Sequence, residues 1–364
     1  MKIALSGYYG FDNAGDEALL AAITGSIRKH NPNTDFVVFS GNPAGTTSAH
    51  HIQSVYYLNP LKVLRELIRS DLLISGGGSI FQDVTSGRSL PYYISVVALA
   101  KFLRKPVIFY AQGVGPINRP LSKFLMRKIA NKVDMITLRD EASRRLLHDI
   151  GVTGPPQIIT ADPVFTLKTS RTEYEAAERL LASHCTQGKI IGVAVRKWDS
   201  LYNYQQSLAR VLDQLSASGF EILFVPFHWP DDVKESQNIM GLMNSQARII
   251  NEQLNTSSLL ALSAKFHLMI GMRLHALIFA ASQETVFAGI SYDPKIDGFL
   301  KLYDTRPLSL EPETMFSEID SLLNNNSLRD SIVKRSVDMR DKAEKNAILA
   351  LSLLKGRLVT EIQT

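Results

Sequence analysis

Short, almost wholly apolar runs alternate with amphipathic stretches along most of the chain, and this alternation constrains the fold more than any other feature. In the first half the apolar runs are 3–6, 36–40, 72–75, 107–111, 135–138 and 157–160. Between them, 17–29, 61–68, 92–103, 121–132 and 141–149 carry a helical period. Strands that are apolar on both faces need cover on both faces, and strands separated by helices run parallel. The pattern restarts near Lys189, with strands expected at 190–195, 222–225, 248–251, 267–270 and 286–289. Helices are expected there at 205–217, 233–243, 258–264 and 275–281.

The expected fold is therefore α/β, with two Rossmann-like domains facing each other across a central cleft. A chain of 364 residues suits two domains of about 150 to 180 residues each. The expected division is 1–167 for the first domain, 168–188 for a linker helix and 189–326 for the second domain. The stretch 327–364 is expected as a charged helix that packs back on the first domain.

Apolar residues make up 45% and charged residues 21%, ordinary values for a soluble globular protein. The net charge of +5 and pI near 9.1 favour anionic partners. No basic run interleaved with aromatics appears, which argues against nucleic acid. Cys185 is the one cysteine, so no intrachain disulfide forms, as suits a reducing compartment. The first residues lack a signal-peptide core, and no apolar run approaches a membrane span, so a cytoplasmic location is expected. The segment 101–105 and the helix 123–132 mix basic and apolar residues. That composition suits weak adsorption to anionic lipid, and equally a helix with one solvated and one core face.

Ligands of open parallel sheets bind beyond the carboxyl ends of the strands, so candidate site residues are expected at those ends. After the first strand comes Gly7-Tyr8-Tyr9-Gly10-Phe11-Asp12-Asn13-Ala14-Gly15-Asp16-Glu17, where Asn13 and Asp16 are candidate ligand contacts at a helix start. Asp16 and Glu17 also suit a first helical turn on macrodipole grounds alone. Ser75-Gly76-Gly77-Gly78-Ser79 follows the third strand as a candidate anion nest, with Asp83 close behind. Gln112 in Gln112-Gly113-Val114-Gly115-Pro116 is placed to hydrogen-bond a sugar hydroxyl. Arg139 stands where a strand becomes a helix, and its fork suits carboxylate or phosphate; the alternative is a surface ion pair.

In the second half, Arg196, His228, the Arg273/His275 pair and the run Ser291-Tyr292-Asp293-Pro294-Lys295 all fall at strand ends. Arg273 suits holding an anion while His275 handles a proton. One histidine at a helix start is commonly structural; four strand ends converging on cations and imidazoles are harder to explain that way.

With these segments, and Asp162-Pro163, Arg196–Trp198 and Pro226–His228, the chain resembles the polysaccharide pyruvyl transferase family, specifically the CsaB-type ketalpyruvyltransferases of Gram-positive cell-wall polymer synthesis. The ordered motifs span 1 to about 300. Asp12 stands where such proteins usually carry glycine, a tolerable change in a left-handed turn. The resemblance implies a fold like glycosyltransferase type B, phosphoenolpyruvate as co-substrate, and neither metal nor nucleotide-sugar. It implies a lipid-linked saccharide acceptor, N-acetylmannosamine in the closest relatives, which gains a pyruvate ketal across O4 and O6. The finished polymer there anchors surface-layer proteins.

On this reading Arg139 and Arg273 are the first choices for the donor's anionic groups. Arg196, Lys295 and Gly76, Gly77 and Gly78 assist, and His275 protonates the terminal methylene. A neighbouring carboxylate or the substrate's phosphate would favour the protonated imidazole. The acceptor side falls to the first domain through Asn13, Asp16, Asp83 and Gln112, with His228 from the second; Asp16, Asp83 or His228 serves as base. The competing readings are a nucleotide-sugar glycosyltransferase or epimerase on the same fold, and a non-enzymatic anion-binding regulator.

Overall fold

A computed structural model of the chain describes residues 1–84, 89–185, 188–198, 200–201 and 203–354. The chain divides into two compact units, 1–167 with 339–364, and 168–338. Residues 186–187 of the expected linker and 355–364 of the expected C-terminal helix lie outside the described residues.

The first unit holds seven strands: β1 (Lys2–Tyr9), β2 (Asp35–Ser40), β3 (Gln53–Tyr56), β4 (Leu72–Gly76), β5 (Val107–Gln112), β6 (Met135–Leu138) and β7 (Gln157–Ile159). The helices between them are α1 (Ala14–His30), α2 (Pro43–His50), α3 (Pro60–Arg69), α4 (Ser89–Phe102), α5 (Pro120–Ala130) and α6 (Glu141–Asp149). The strands form one parallel sheet in the order β3-β2-β1-β4-β5-β6-β7. Successive residues of each strand feed opposite cores, which is why the strands read as continuous apolar runs. Ala4, Val37, Leu73 and Phe109 face one core; Leu5, Val38, Ile74 and Ile108 face the other.

Helix α1 begins where Asn13 accepts from the Gly15 amide at 3.1 Å, with Asp16 and Glu17 in its first turn. β3 and α2 carry no clear signal in the sequence. β3 is an edge strand with no fully buried residue, so it lacks the apolar run that marks its neighbours.

The second unit begins at Lys168 and holds α7 (Arg171–His184), started by a capping box between Ser170 and Glu173. The expected linker helix is thus part of this unit: α7 packs on α10 (Thr256–Ser263), and Tyr174 donates to Gln283 Oε1 at 3.0 Å. Cys185 caps α7 and is buried; burial, then Glu221, push its thiol up, away from nucleophilic use. Five parallel strands follow: β8 (Lys189–Ala194), β9 (Phe220–Phe224), β10 (Ala247–Ile249), β11 (Leu268–Gly271) and β12 (Phe287–Gly289), in the order β10-β9-β8-β11-β12. Their helices are α8 (Tyr204–Ala217), α9 (Asp231–Met240), α11 (Leu274–Ser282), α12 (Pro294–Leu302) and α13 (Pro312–Asn324).

Helix α14 (Asn326–Ser352) starts in the second unit and belongs to the first from Met339 onward. In the first unit Ala347, Leu349, Ala350 and Leu351 join the core under β1, β2 and β4. Asn346 is fully buried there: it donates to the Ala161 carbonyl at 3.2 Å and accepts from Thr160 Oγ1 at 2.8 Å.

Candidate functional site

In a doubly wound sheet, strand order reverses at one point and leaves a crevice beyond the carboxyl ends of the two strands concerned. In the first unit that point lies between β1 and β4. The loop 10–13 leaves β1 there, and the triple glycine leaves β4. In the second unit it lies between β8 and β11, where the segments carrying Arg196 and Arg273/His275 emerge. Of the strand ends singled out for chemistry, those of β1, β4, β8 and β11 thus flank a reversal, whereas those of β5, β6, β9 and β12, which carry Gln112, Arg139, His228 and Lys295, do not.

In the first unit, Gly77 and Gly78 both take positive φ, +71° and +73°. A Cβ on Gly77 would lie 2.9 Å from Leu19 Cβ, and one on Gly78 would lie 3.1 Å from Asp16 Oδ1. Only glycine lets the loop lie this close to α1. Asp12 takes φ +56°, the left-handed turn expected of it. Glu17 fixes the β1 loop by accepting from the Gly10 amide at 2.8 Å while it meets His50 Nε2 at 2.7 Å.

Asp16 sits among phenol rings. Burial, then the Asp16 carboxylate, raise the phenol pKa of Tyr8, and the same two causes act on Tyr9 and Tyr93. Tyr8 stacks on Phe11 at 4.3 Å between ring centroids. Edge contacts run on from Phe11 to Tyr57 and from Tyr57 to Tyr92. Tyr8 is still 39% exposed, so this ladder ends in an open ring beside a carboxylate. This ladder is not apparent from the sequence. The tandem tyrosines 56–57 and 92–93 were visible, but only the fold stacks them on the β1 loop.

Three expected contacts of this unit are engaged inside it. Arg139 donates from Nη1 to Asp162 at 2.8 Å and from Nη2 to Ser79 Oγ at 2.8 Å, with a side chain 9% exposed. Its guanidinium ties the glycine loop to the N-cap of the turn Pro163–Thr166 and lies under Gly113, where a Cβ would come within 2.7 Å. Asp83 is buried and accepts from the amides of Asn118 and Arg119 at 2.9 and 2.8 Å. Burial would raise its pKa, but these amides and the Ser122 hydroxyl outweigh it and hold the carboxyl below the usual range. Gln112 is fully buried and donates to the Ser75 carbonyl at 3.0 Å, away from any solvent-facing hydroxyl. A polar side chain at a buried strand end has to find such partners.

In the second unit Arg273 is closed on Asp232, which is 1% exposed. Arg273 Nε donates to Oδ2 at 3.0 Å, and Nη2 donates to Oδ1. Asp232 also accepts from the amides of Phe227 and His228, which ties the end of β9 to the end of β11. His228 Nδ1 lies 3.4 Å from Asp231. Sequence gave no sign of Asp232's role, because an acidic residue in a first helical turn is expected on dipole grounds.

Arg196 is held differently. Its guanidinium lies 5.2 Å from the Trp198 ring and 5.0 Å from the Tyr292 ring, and Nη1 donates to the Tyr292 hydroxyl at 2.9 Å. Its buried Nε has no acceptor among the described residues. Stacked aromatics fix the plane of a guanidinium without consuming its charge. His275 occupies the second position of α11, partly buried, at the end of the strand beside that of Arg196. Lys295 stands in the first turn of α12, its amide bonded to Asp293 Oδ1 at 3.0 Å and its ammonium 3.9 Å from Oδ2.

Among solved structures, the chain is similar to the UDP-GlcNAc 2-epimerase of Methanocaldococcus jannaschii, with TM-score 0.70, 11% identity and 96% and 99% of the two chains covered. It is similar to a putative UDP-N-acetylglucosamine 2-epimerase of Listeria monocytogenes, with TM-score 0.69, 12% identity and 100% and 97% covered. A glycosyltransferase of Rickettsia africae matches with TM-score 0.64, 12% identity and 98% and 99% covered. These likenesses show the fold, which is α/β with two Rossmann-like domains, like glycosyltransferase type B. The amylovoran biosynthesis protein AmsJ of Erwinia amylovora is 22% identical, across 93% of this chain and 96% of that protein. The profile of the polysaccharide pyruvyl transferases matches residues 13–294, over three quarters of the chain. The chain accordingly belongs to the polysaccharide pyruvyl transferase family, transferases of polysaccharide biosynthesis.

Proposed function

We propose that this transferase moves the pyruvyl group of phosphoenolpyruvate onto two hydroxyls of a sugar, closing a cyclic ketal and releasing phosphate. The observation that carries the reading is that Arg196 and His275 stand at the ends of the neighbouring strands β8 and β11, where the sheet reverses. An anion holder and a proton carrier are the two groups this donor requires. Arg196 takes the leading anion contact, because Arg139 and Arg273 each spend part of their fork on a buried aspartate. Arg273 and Lys295 add positive charge near it.

His275 gives a proton to the terminal methylene, which makes the central carbon electrophilic. One sugar hydroxyl adds to that carbon and loses its proton to a base. The carbon–oxygen bond to phosphate then breaks with its electron pair leaving on phosphate, and the second hydroxyl adds to the carbon and gives its proton to the imidazole that lost one, which closes the ring and restores His275. Asp16 is the base favoured here, because Asp83 is caged by amides and His228 faces Asp231. The open face of Tyr8 beside Asp16 suits a pyranose ring. The reading uses arginine and lysine charge and requires no metal. N-acetylmannosamine on a lipid-linked cell-wall precursor, as in the CsaB-type enzymes, is the first acceptor to try. The likeness to a protein of amylovoran biosynthesis widens the panel to other polysaccharide units.

The test is phosphate release from phosphoenolpyruvate with a panel of synthetic glycosides, with products identified by mass spectrometry. His275→Ala is expected to lose turnover while still binding the donor. Arg196→Ala is expected to weaken donor binding by roughly 10- to 100-fold, the worth of a hydrogen bond to a charged group, and Arg196→Lys should restore little of it. Normal turnover in His275→Ala would sink the assignment.

A further inference from the structure

The helices α3, α4 and α5 cover one face of the first unit's sheet, and their outer surface is unusual. Phe102 is 83% exposed, Leu61 77% and Leu121 64%. Along α3, Leu61, Arg65 and Ile68 are all exposed and spaced to lie in one stripe. Lys105 donates to the Ile68 carbonyl at 2.8 Å, which joins the end of α4 to the end of α3, and α4 packs on α5. On α5 the exposed Phe124 ring carries the Lys128 ammonium 5.5 Å from its centroid. The apolar tips therefore belong to one continuous layer.

The same layer is strongly basic. From Tyr57 to Asp134 the sequence has twelve Lys and Arg against four Asp and Glu, a net of +8 where the whole chain carries +5. Two of the four acids are buried, and the two exposed ones, Asp71 and Asp134, are each engaged by a lysine of this unit. Glu66 is buried against Lys2, Asp71 accepts the Lys2 amide, Asp83 is caged by amides, and Asp134 binds Lys101.

We infer that this layer docks on an anionic lipid surface. Exposed rings and leucines gain nothing from water. Here they are spaced by cations, an arrangement that an apolar protein partner would bury at a cost. A lipid interface accepts both parts: apolar tips enter the acyl boundary, and the lysines and arginines reach the phosphates. No helix among the described residues is long and apolar enough to cross a membrane, so the contact is with the surface. The inference stands apart from the proposed reaction, since it concerns binding and not turnover. Where that reaction also holds, the docked layer would bring the enzyme to a lipid-borne acceptor.

The test is co-sedimentation of the full chain with vesicles of phosphatidylcholine alone, and of equal parts phosphatidylcholine and phosphatidylglycerol. Salt is varied from about 0.15 M to about 1 M, which shortens the screening length from about 8 Å to about 3 Å. Binding is expected on the anionic vesicles, at least about tenfold weaker on the neutral ones, and falling with salt. The pairs Leu61→Ser with Phe102→Ser, and Arg65→Glu with Lys123→Glu, should each lower partition about tenfold or more. Unchanged melting temperatures would show that these exposed changes leave the fold intact. Equal sedimentation of the native chain and both variants would overturn the proposal. So would a stable dimer that the Leu61/Phe102 pair breaks while the native chain ignores lipid.

Discussion

At the scale of single residues, the type of a side chain was legible and its partner was not. Arg139 and Arg273 were picked out as cations at strand ends, where they are found. Nothing in the sequence pairs them with Asp162 and Asp232, which lie 23 and 41 residues away. Asp12 was legible down to its backbone, because a left-handed turn restricts residue type locally. Asp83 read as a ligand candidate but anchors the stretch before α5 through two amides. Its lowered pKa gives a signed expectation. A carboxyl whose folded pKa is depressed stabilises the fold above its unfolded value, and that help is lost as pH falls through the folded value. Asp83→Asn turns an NH₂ toward an amide that needs an acceptor. It should cost about 1 to 3 kcal/mol at pH 7 in chemical denaturation. The gap to the native chain should close below about pH 4, near the unfolded aspartate value. A gap that stays constant with pH would remove the charge from this account.

At the scale of elements, buried strands were easy to read and edge strands were not. β4 and β5 are apolar on both faces, whereas β3 has no fully buried residue. The helices α12 and α13 escaped because each begins on a proline, Pro294 and Pro312, after a loop-like stretch. The glycine run after β4 was legible as a loop of special geometry, but its closeness to Asp16 was not. Gly78→Ala places a methyl group at positive φ and about where Asp16 Oδ1 needs room. It should cost about 1 to 3 kcal/mol of stability. It should also lower phosphate release at least about tenfold, since the carboxylate must move. Melting and turnover measured on the same preparation separate these effects; full turnover would free Asp16 from the role of base.

At the scale of the whole molecule, two Rossmann-like units were readable because the strand–helix rhythm stops and restarts. The return of the chain to its first unit was suggested by a long charged helix at its end, but the buried polar anchor there was not. Asn346 satisfies the Ala161 carbonyl and bonds the Thr160 hydroxyl in a place closed to water. Asn346→Leu should destabilise the first unit by about 1 to 3 kcal/mol. Amide hydrogen exchange should quicken in β6 and β7 while β8 and β11 keep their protection. Equal quickening in both units would mean that they unfold together.

The same helix sets an order on biosynthesis. β1 to β7 leave the ribosome first, yet Ala347, Leu349, Ala350 and Leu351 belong to the core beneath them. The 168–338 unit, by contrast, is one uninterrupted stretch of nascent chain. Its core therefore needs no residue made after 338, whereas the earlier-made strands wait for 347–351 to complete their cover.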